Sequence, residues 1–310
     1  MKVAIIGYGH VGKAMHNLFK DALIYDVKQM EGIKLTSKQE INDCDAAFIC
    51  VPTPMNEEDG SCITSMVEEV INWCNCPLLI IRSTVPVGFT RSMVAKYHKQ
   101  IVFQPEYYGE TIAHPFADLT KRNWISLGGE QSSIDLAIEV YQSVINSAVK
   151  IYQTDSDTAE MAKYMENAFI GTKVTFCNEM YDICKHLNVD YNKVREIWLA
   201  DPRMGDYFTF VYPTNRGWGG SCLPKDISSI IHQSEQNNYH PTLLKEVVVT
   251  NKKHNSSSKF KRNPDNDDND EREFVPEGQD EQENQAEEKP KDDMLERLEK
   301  LFDDDDDNNK

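Results

Sequence analysis

The sequence is short of positive charge: its 33 Lys and Arg face 51 Asp and Glu, for a net charge of −18. No basic stripe is available to follow a phosphate backbone, so nucleic acid is excluded as a partner, and the acidic excess would repel an anionic membrane surface. The excess is local. Residues 261–310 hold 21 acidic and 8 basic side chains, a net of −13, which leaves −5 for the first 260 residues. The sequence also lacks an apolar run of membrane-spanning length. Met1-Lys2 passes straight into Val3-Ala4-Ile5-Ile6 without a secretory leader, so neither export nor a membrane partner is expected. Eight cysteines are present, but none has zinc or redox spacing, and Cys74-Asn75-Cys76 is one residue too tight for either. No metal is expected, and the thiols fit a reducing, cytoplasmic setting. Cys44, Cys50, Cys62, Cys177 and Cys184 read as small apolar residues, with Cys222 set apart by its surroundings. Proline, finally, is missing from Asp155 to Asp201.

What is present is a regular alternation. Short β-branched runs at Val3–Ile6, Leu23–Tyr25, Ala46–Val51, Leu78–Ile81, Ile101–Phe103, Trp124–Leu127 and Val149–Tyr152 alternate with helical stretches. This predicts a doubly wound parallel sheet over residues 1–152. The proline-free region then carries Ala159, Ala162, Ala168, Phe169, Val174, Phe176 and Ile183 at helical spacing, which predicts one long helix starting near Asp155 or Asp157. Further helix is expected over Tyr191–Leu199 and Ile227–Asn251, within a helical domain of residues 153–255. Between them, the Gly- and Pro-containing loop from Asp201 to Pro224 is too long for a mere connection. Residues 256–310 are too polar to offset their ordering entropy and are expected to be disordered. Within them Met294, Leu295, Leu298, Leu301 and Phe302 have helical spacing, as a transient helix or as one that docks on a partner or on the body.

Gly7-Tyr8-Gly9-His10-Val11-Gly12 follows the first strand and opens a helix whose apolar face includes Val11, Met15 and Leu18. In this context Gly7 permits the tight turn, Gly9 lets backbone approach a pyrophosphate, and Gly12 allows close packing of helix on strand. Tyr8, His10 and Val11 line the same turn, His10 as a plain loop residue. Asp26 closes the second strand nineteen residues after Gly7, where its carboxylate accepts from an adenosine ribose and repels a 2′-phosphate. A Rossmann-type site for NAD, in preference to NADP, is expected.

Gly219-Gly220-Ser221-Cys222-Leu223-Pro224-Lys225-Asp226 resembles the cysteine motif of the UDP-glucose/GDP-mannose dehydrogenase family. It is joined, in the family's order, by Val51-Pro52-Thr53-Pro54, Ser83-Thr84-Val85-Pro86-Val87-Gly88, Pro105-Glu106, and Ala159-Glu160 leading to Lys163 and Asn167. The resemblance covers residues 1 to about 251. It implies an NAD-binding domain, a helical central domain that usually dimerises, and a nucleotide-sugar substrate oxidised by four electrons at one carbon. Cys222 is then the nucleophile, capturing the intermediate aldehyde as a thiohemiacetal and carrying it to a thioester that water cleaves. Lys163 and Asn167, four apart on one helix face, are implied to stabilise the developing oxyanion; on spacing alone they read rather as surface decoration. Glu106 is implied to be the acid/base carboxylate, with a water held by Thr84 and Asp226. Pro52, Thr53, Ser83, Thr84 and Lys225 are implied to lie beside the cofactor, with Glu110 as a contact to NAD or to water, and Lys225 is also expected to lower the thiol pKa. Gly219 lets backbone approach the sugar, and Arg203 resembles the arginine that reaches substrate across the family's dimer interface.

The sequence departs from the family pattern at Gln104, typically Asn, and at Tyr107-Tyr108, typically Phe-Leu. It also carries the acidic tail where the family continues into a third, nucleotide-binding α/β domain. Two other readings stay open at this point: a β-hydroxyacid dehydrogenase, which needs no Cys222, and a non-catalytic NAD-binding protein.

Overall fold

The computed structural model describes residues 1–107 and 123–256, together with the backbone of two short strands, Phe260–Lys261 and Glu273–Phe274. Glu110 and nearly all of the acidic tail, including the 294–302 island, lie outside the described residues. In chain order the elements are β1 (Val3–Ile6), α1 (His10–Leu18), β2 (Leu23–Tyr25), α2 (Lys38–Asn42), β3 (Ala46–Ile49), α3 (Ser65–Trp73), β4 (Leu78–Ile81) and α4 (Phe89–Tyr97). They continue with β5 (Ile101–Phe103), β6 (Trp124–Gly129), α5 (Gln131–Gln142), β7 (Lys150–Thr154), α6 (Ser156–His186), α7 (Tyr191–Leu199), α8 (Cys222–Gln236) and α9 (Thr242–Ser256).

The sheet has seven strands in the order β2-β1-β3-β4-β5-β6-β7. Strands β1 to β5 run parallel, and β6 and β7, parallel to each other, run the opposite way because β6 meets β5 antiparallel. Both faces are covered, so β1, β3 and β4 are apolar at every position. Alternation divides their side chains. Ala4, Ile6, Ala47, Ile49, Leu79 and Ile81 pack under Ile41, Val67, Ile71 and Met93, while Val3, Ile5, Phe48 and Ile80 pack against Met15, Phe19, Ile134 and Tyr141. The chain reverses its winding between β1 and β3, and in open sheets of this kind the crevice beyond the strand ends at that switch point is where ligands bind.

The long helix is present as expected. Asp155 caps it by accepting the Thr158 N–H at 2.8 Å, and α6 then runs 31 residues without a proline to break it. Two expectations downstream are corrected. The helix expected over Ile227–Asn251 is two helices, because Pro241 interrupts it. The first of them begins at Cys222, inside the segment expected to be loop, since Pro224 falls in the first turn where its missing N–H has no intrahelical partner to lose. Among the described residues no helix is long and apolar enough to cross a membrane.

Candidate functional site

The turn between β1 and α1 has the shape that its glycines require. Gly7 sits at φ +91°, and a Cβ there would lie 2.7 Å from the Cys50 carbonyl; a Cβ on Gly12 would lie 2.0 Å from the Gly7 carbonyl. Gly9 differs: a Cβ there would meet no protein atom within 4 Å. Its freedom from side chain is thus not demanded by the protein's own packing, and it leaves open space at the N-terminus of α1, where first-turn N–H groups and the helix dipole favour an anion. His10, expected in the loop, is instead the first residue of α1, with Val11 half-buried after it. Asp26, at the end of β2, accepts from the Tyr8 N–H at 2.7 Å and from the Lys28 N–H at 2.8 Å. Each oxygen keeps a lone pair, so the carboxylate is held in place and still able to accept from a ribose hydroxyl. Tyr8 bonds His16 at 2.7 Å through its hydroxyl, which tightens the same turn. The loop after β3 completes this side. Thr53 is buried, Pro52 is exposed, and the Ser83 hydroxyl donates to the Val51 carbonyl at 2.6 Å. These residues fit a dinucleotide.

A second group of predicted residues comes together across α6 and α8. Lys163 and Asn167 share a face of α6 and are both buried, so the structure sets aside the reading of them as surface decoration. The Lys163 ammonium donates to Asn167 Oδ1 at 3.4 Å, and the Asn167 amide donates to Asp226 Oδ2 at 2.6 Å. Asp226, 1% exposed, accepts from Lys225 on its other oxygen. The result is a chain of four side chains in alternating donor and acceptor roles. Cys222 is exposed as the first residue of α8, one turn before Asp226, with its sulfur 3.6 Å from the Ser221 hydroxyl. Gly219 is half-buried just ahead of the cysteine, beside the buried Trp218. Leu223, which follows the cysteine, packs half-buried against the cluster of Trp218, Ile227 and Val247.

Cys62 reads from the sequence as a small apolar residue, and the structure places it beside this group. Its thiol donates to the Thr84 carbonyl at 3.6 Å. Burial pushes that thiol up from its ordinary range, against the opposing pull of the Lys225 charge and a hydrogen bond with Thr53. Thr53, Thr84, Lys225 and Asp226 therefore surround one point between the strand loops and α8.

Other predicted residues are engaged elsewhere. Glu106 is buried and forms an ion pair with Arg82, whose guanidinium also donates to the Gln104 carbonyl at 3.1 Å and the Pro105 carbonyl at 3.4 Å. Gln104, in turn, accepts from the Tyr141 hydroxyl. Tyr107, next in sequence, packs on Trp124 and lies under the Lys163 ammonium, 5.2 Å from its ring centre. Arg203 is exposed and paired with Asp201 two residues away at 2.9 Å, so within one chain it is not brought to the site.

Two residues make contacts that no local pattern announces. Arg82 is one. The other is Glu160, fully buried on α6, which accepts from the Gly88 N–H at 2.6 Å and the Thr90 N–H at 2.9 Å and so caps α4. Burial raises its carboxyl to about 7, with those two hydrogen bonds pulling the other way. A capping box would have revealed a local cap, but this one comes from seventy residues further along the chain. Among the described residues no cluster of His, Cys, Asp and Glu is placed to hold a metal ion.

Comparison with known proteins identifies the family and the fold. Residues 20–145 match the model of the UDP-glucose/GDP-mannose dehydrogenase family NAD binding domain, and residues 157–253 match that family's central domain. The chain is 30% identical over 232 residues to a UDP-glucose 6-dehydrogenase of Haloferax volcanii, an alignment that takes in 68% of this chain and 53% of that one. It therefore spans about half the length of that curated relative. Its fold is that of a UDP-glucose dehydrogenase from Pyrobaculum islandicum, with a TM-score of 0.69 at 24% identity over 81% of this chain and 68% of the other. A UDP-D-ManNAc dehydrogenase from Pyrococcus horikoshii is alike, with a TM-score of 0.70 at 22% identity, over 82% of this chain and 69% of that one.

Proposed function

Because the chain belongs to the UDP-glucose/GDP-mannose dehydrogenase family, we propose that it oxidises the primary alcohol of a nucleotide sugar to a carboxylate, with UDP-glucose as the substrate. The observation that carries this reading is the placement of Cys222 at the start of α8, one turn from an Asp226 that is bonded to Asn167 and, through it, to Lys163. NAD, when bound, supplies the hydride acceptor for both oxidations.

The remaining chemistry belongs to the chain. Lys163 and Asn167 offer an ammonium and an amide where charge develops on the sugar oxygen, in a buried setting that strengthens both. The Cys222 sulfur holds the aldehyde carbon between the two oxidations, so that no free aldehyde escapes, and releases it as a carboxylate when water attacks the thioester. A helix N-terminus and the ammonium of Lys225 favour the thiolate that this needs. Thr84 and Asp226 position the water, and Glu106 serves as acid/base only after exchanging its Arg82 partner for that water. Asp26 reads the ribose and selects NAD over NADP. Pro52, Thr53 and Ser83 line the cofactor side, Gly219 admits the sugar, and Glu110 contacts cofactor or water.

A homodimer is part of the proposal. Met165 and Phe169 are 70% and 65% exposed one turn apart on α6, an apolar strip that a second copy would cover and that would bring Arg203 toward the neighbouring site. The substrate is tested by following NADH with UDP-glucose, UDP-N-acetylmannosamine and GDP-mannose in parallel. Turnover of UDP-glucose at a kcat/KM well above the others supports the assignment, and preference for another sugar replaces it.

A further inference from the structure

Cys222 is delivered by Gly217-Trp218-Gly219-Gly220-Ser221, a segment with little side chain of its own to hold it. The hold comes from two helices on either side. On α9 the buried Asn251 accepts the Trp218 N–H on Oδ1 at 2.8 Å and donates its amide to the Trp218 carbonyl at 2.9 Å. One side chain thus pairs with both backbone groups of one residue, as a neighbouring strand would. Asn255, one turn on, donates to the same carbonyl at 2.9 Å. On α6, Asn178 Oδ1 accepts from Arg216 Nε at 2.7 Å and from the Gly217 N–H at 3.2 Å. The Trp218 indole donates to the Thr175 hydroxyl at 2.8 Å. Gly217 has a φ of +71°, and a Cβ there would lie 2.5 Å from both Asn251 Oδ1 and Asn255 Oδ1. The clamp closes only over a glycine.

We propose that Asn251 is a positioning residue, which fixes the backbone of Trp218 and through it the register in which Cys222 enters the first turn of α8. Its importance for turnover rests on the reading of Cys222 as the nucleophile. Its physical basis does not, because without Asn251 the buried Trp218 N–H loses its acceptor and the Trp218 carbonyl keeps only Asn255, so the backbone has to move to find another partner, and the glycines beyond it transmit the movement.

The test is the rate at which iodoacetamide alkylates Cys222 in the full chain between pH 6 and 10, read on the Cys222 peptide by mass spectrometry. Asn251→Ala is expected to slow the reaction at pH 7 about tenfold and to move its midpoint upward, because the thiol leaves the helix N-terminus that favours its thiolate. Asn251→Asp, which keeps the acceptor for the Trp218 N–H, should lose less. Thr175→Val removes the indole bond and leaves the backbone clamp, so it should lower the melting temperature without moving the midpoint. An unchanged rate and midpoint in Asn251→Ala, or an equal shift in Thr175→Val, would overturn the proposal. Should the Asn251 variants not fold, amide exchange in the unaltered protein decides: a Trp218 amide as protected as the core of α9 supports the clamp, and one that exchanges like an exposed loop refutes it. None of these readings needs turnover, so a failed NADH assay would unseat the assignment of the site and leave this result standing. In active protein, Asn251→Ala is expected to lower kcat more than it changes KM.

Discussion

The Asn167 amide donates to the buried carboxylate of Asp226 at 2.6 Å, and this bond ties the long helix α6 to the helix that opens on Cys222. Removing the charge at its centre leaves Lys225, with a side chain only 14% exposed, without its carboxylate partner. Asp226→Asn is expected to cost about 2–3 kcal/mol, the scale of hydrogen bonds to a charged group. It should also lower kcat about 100-fold or more, as for loss of a group that positions a reacting water. Urea denaturation and the NADH rate read the two effects separately.

The glycine turn makes a contrast available. Gly9→Ala meets no protein atom within 4 Å, so its melting temperature should stay unchanged while NAD binding weakens at least about tenfold, roughly 1.4 kcal/mol. Gly12→Ala drives a methyl to 2.0 Å from the Gly7 carbonyl and should lower stability and NAD affinity together. Calorimetric titration with NAD beside thermal melts checks both; unchanged NAD affinity in Gly9→Ala would contradict the placement of the dinucleotide.

Arg82 and Glu106 form a buried pair, and breaking such a pair from one side strands a charge. Arg82→Met alone is expected to destabilise by about 3–5 kcal/mol. The double variant Arg82→Met, Glu106→Gln should recover much of that loss, because the stranded charge is gone. Equal denaturation midpoints for the single and double variants would show that the pair is not the source of the cost.

Much of this was legible in the residues. The alternation of strands and helices, the glycine turn, the capped long helix and the cysteine motif each have a spacing or a neighbour that betrays them, whereas the antiparallel meeting of β5 and β6 does not. The bonds made by Arg82, Glu160 and Asn251 have none, since each joins a side chain to backbone or charge at a distant point of the chain, where no periodicity links donor to acceptor. The start of α8 was hidden for another reason: Pro224 reads as a helix stop unless one knows that it sits in the first turn.

Glu160 gives a pH dependence with a definite sign. Its folded carboxyl titrates at about 7 against an ordinary 4.5, so between those values the folded state holds a proton that the unfolded chain has released. The stability this contributes is fully present below pH 4.5 and is lost as pH rises through 7, by on the order of 3 kcal/mol at most. Relative to Glu160→Gln, the unaltered protein should therefore lose stability from pH 5 to 8. Urea denaturation of both at four pH values in that range measures it, and parallel curves would contradict the burial of an ionisable Glu160.

The most direct test of the central claim is the number of NADH formed per sugar when limiting UDP-glucose meets excess NAD, with Cys222→Ser alongside. Two NADH per sugar, with the serine variant stalled before carboxylate release, is the predicted result. One NADH per sugar, or a serine variant that completes both oxidations, would contradict it.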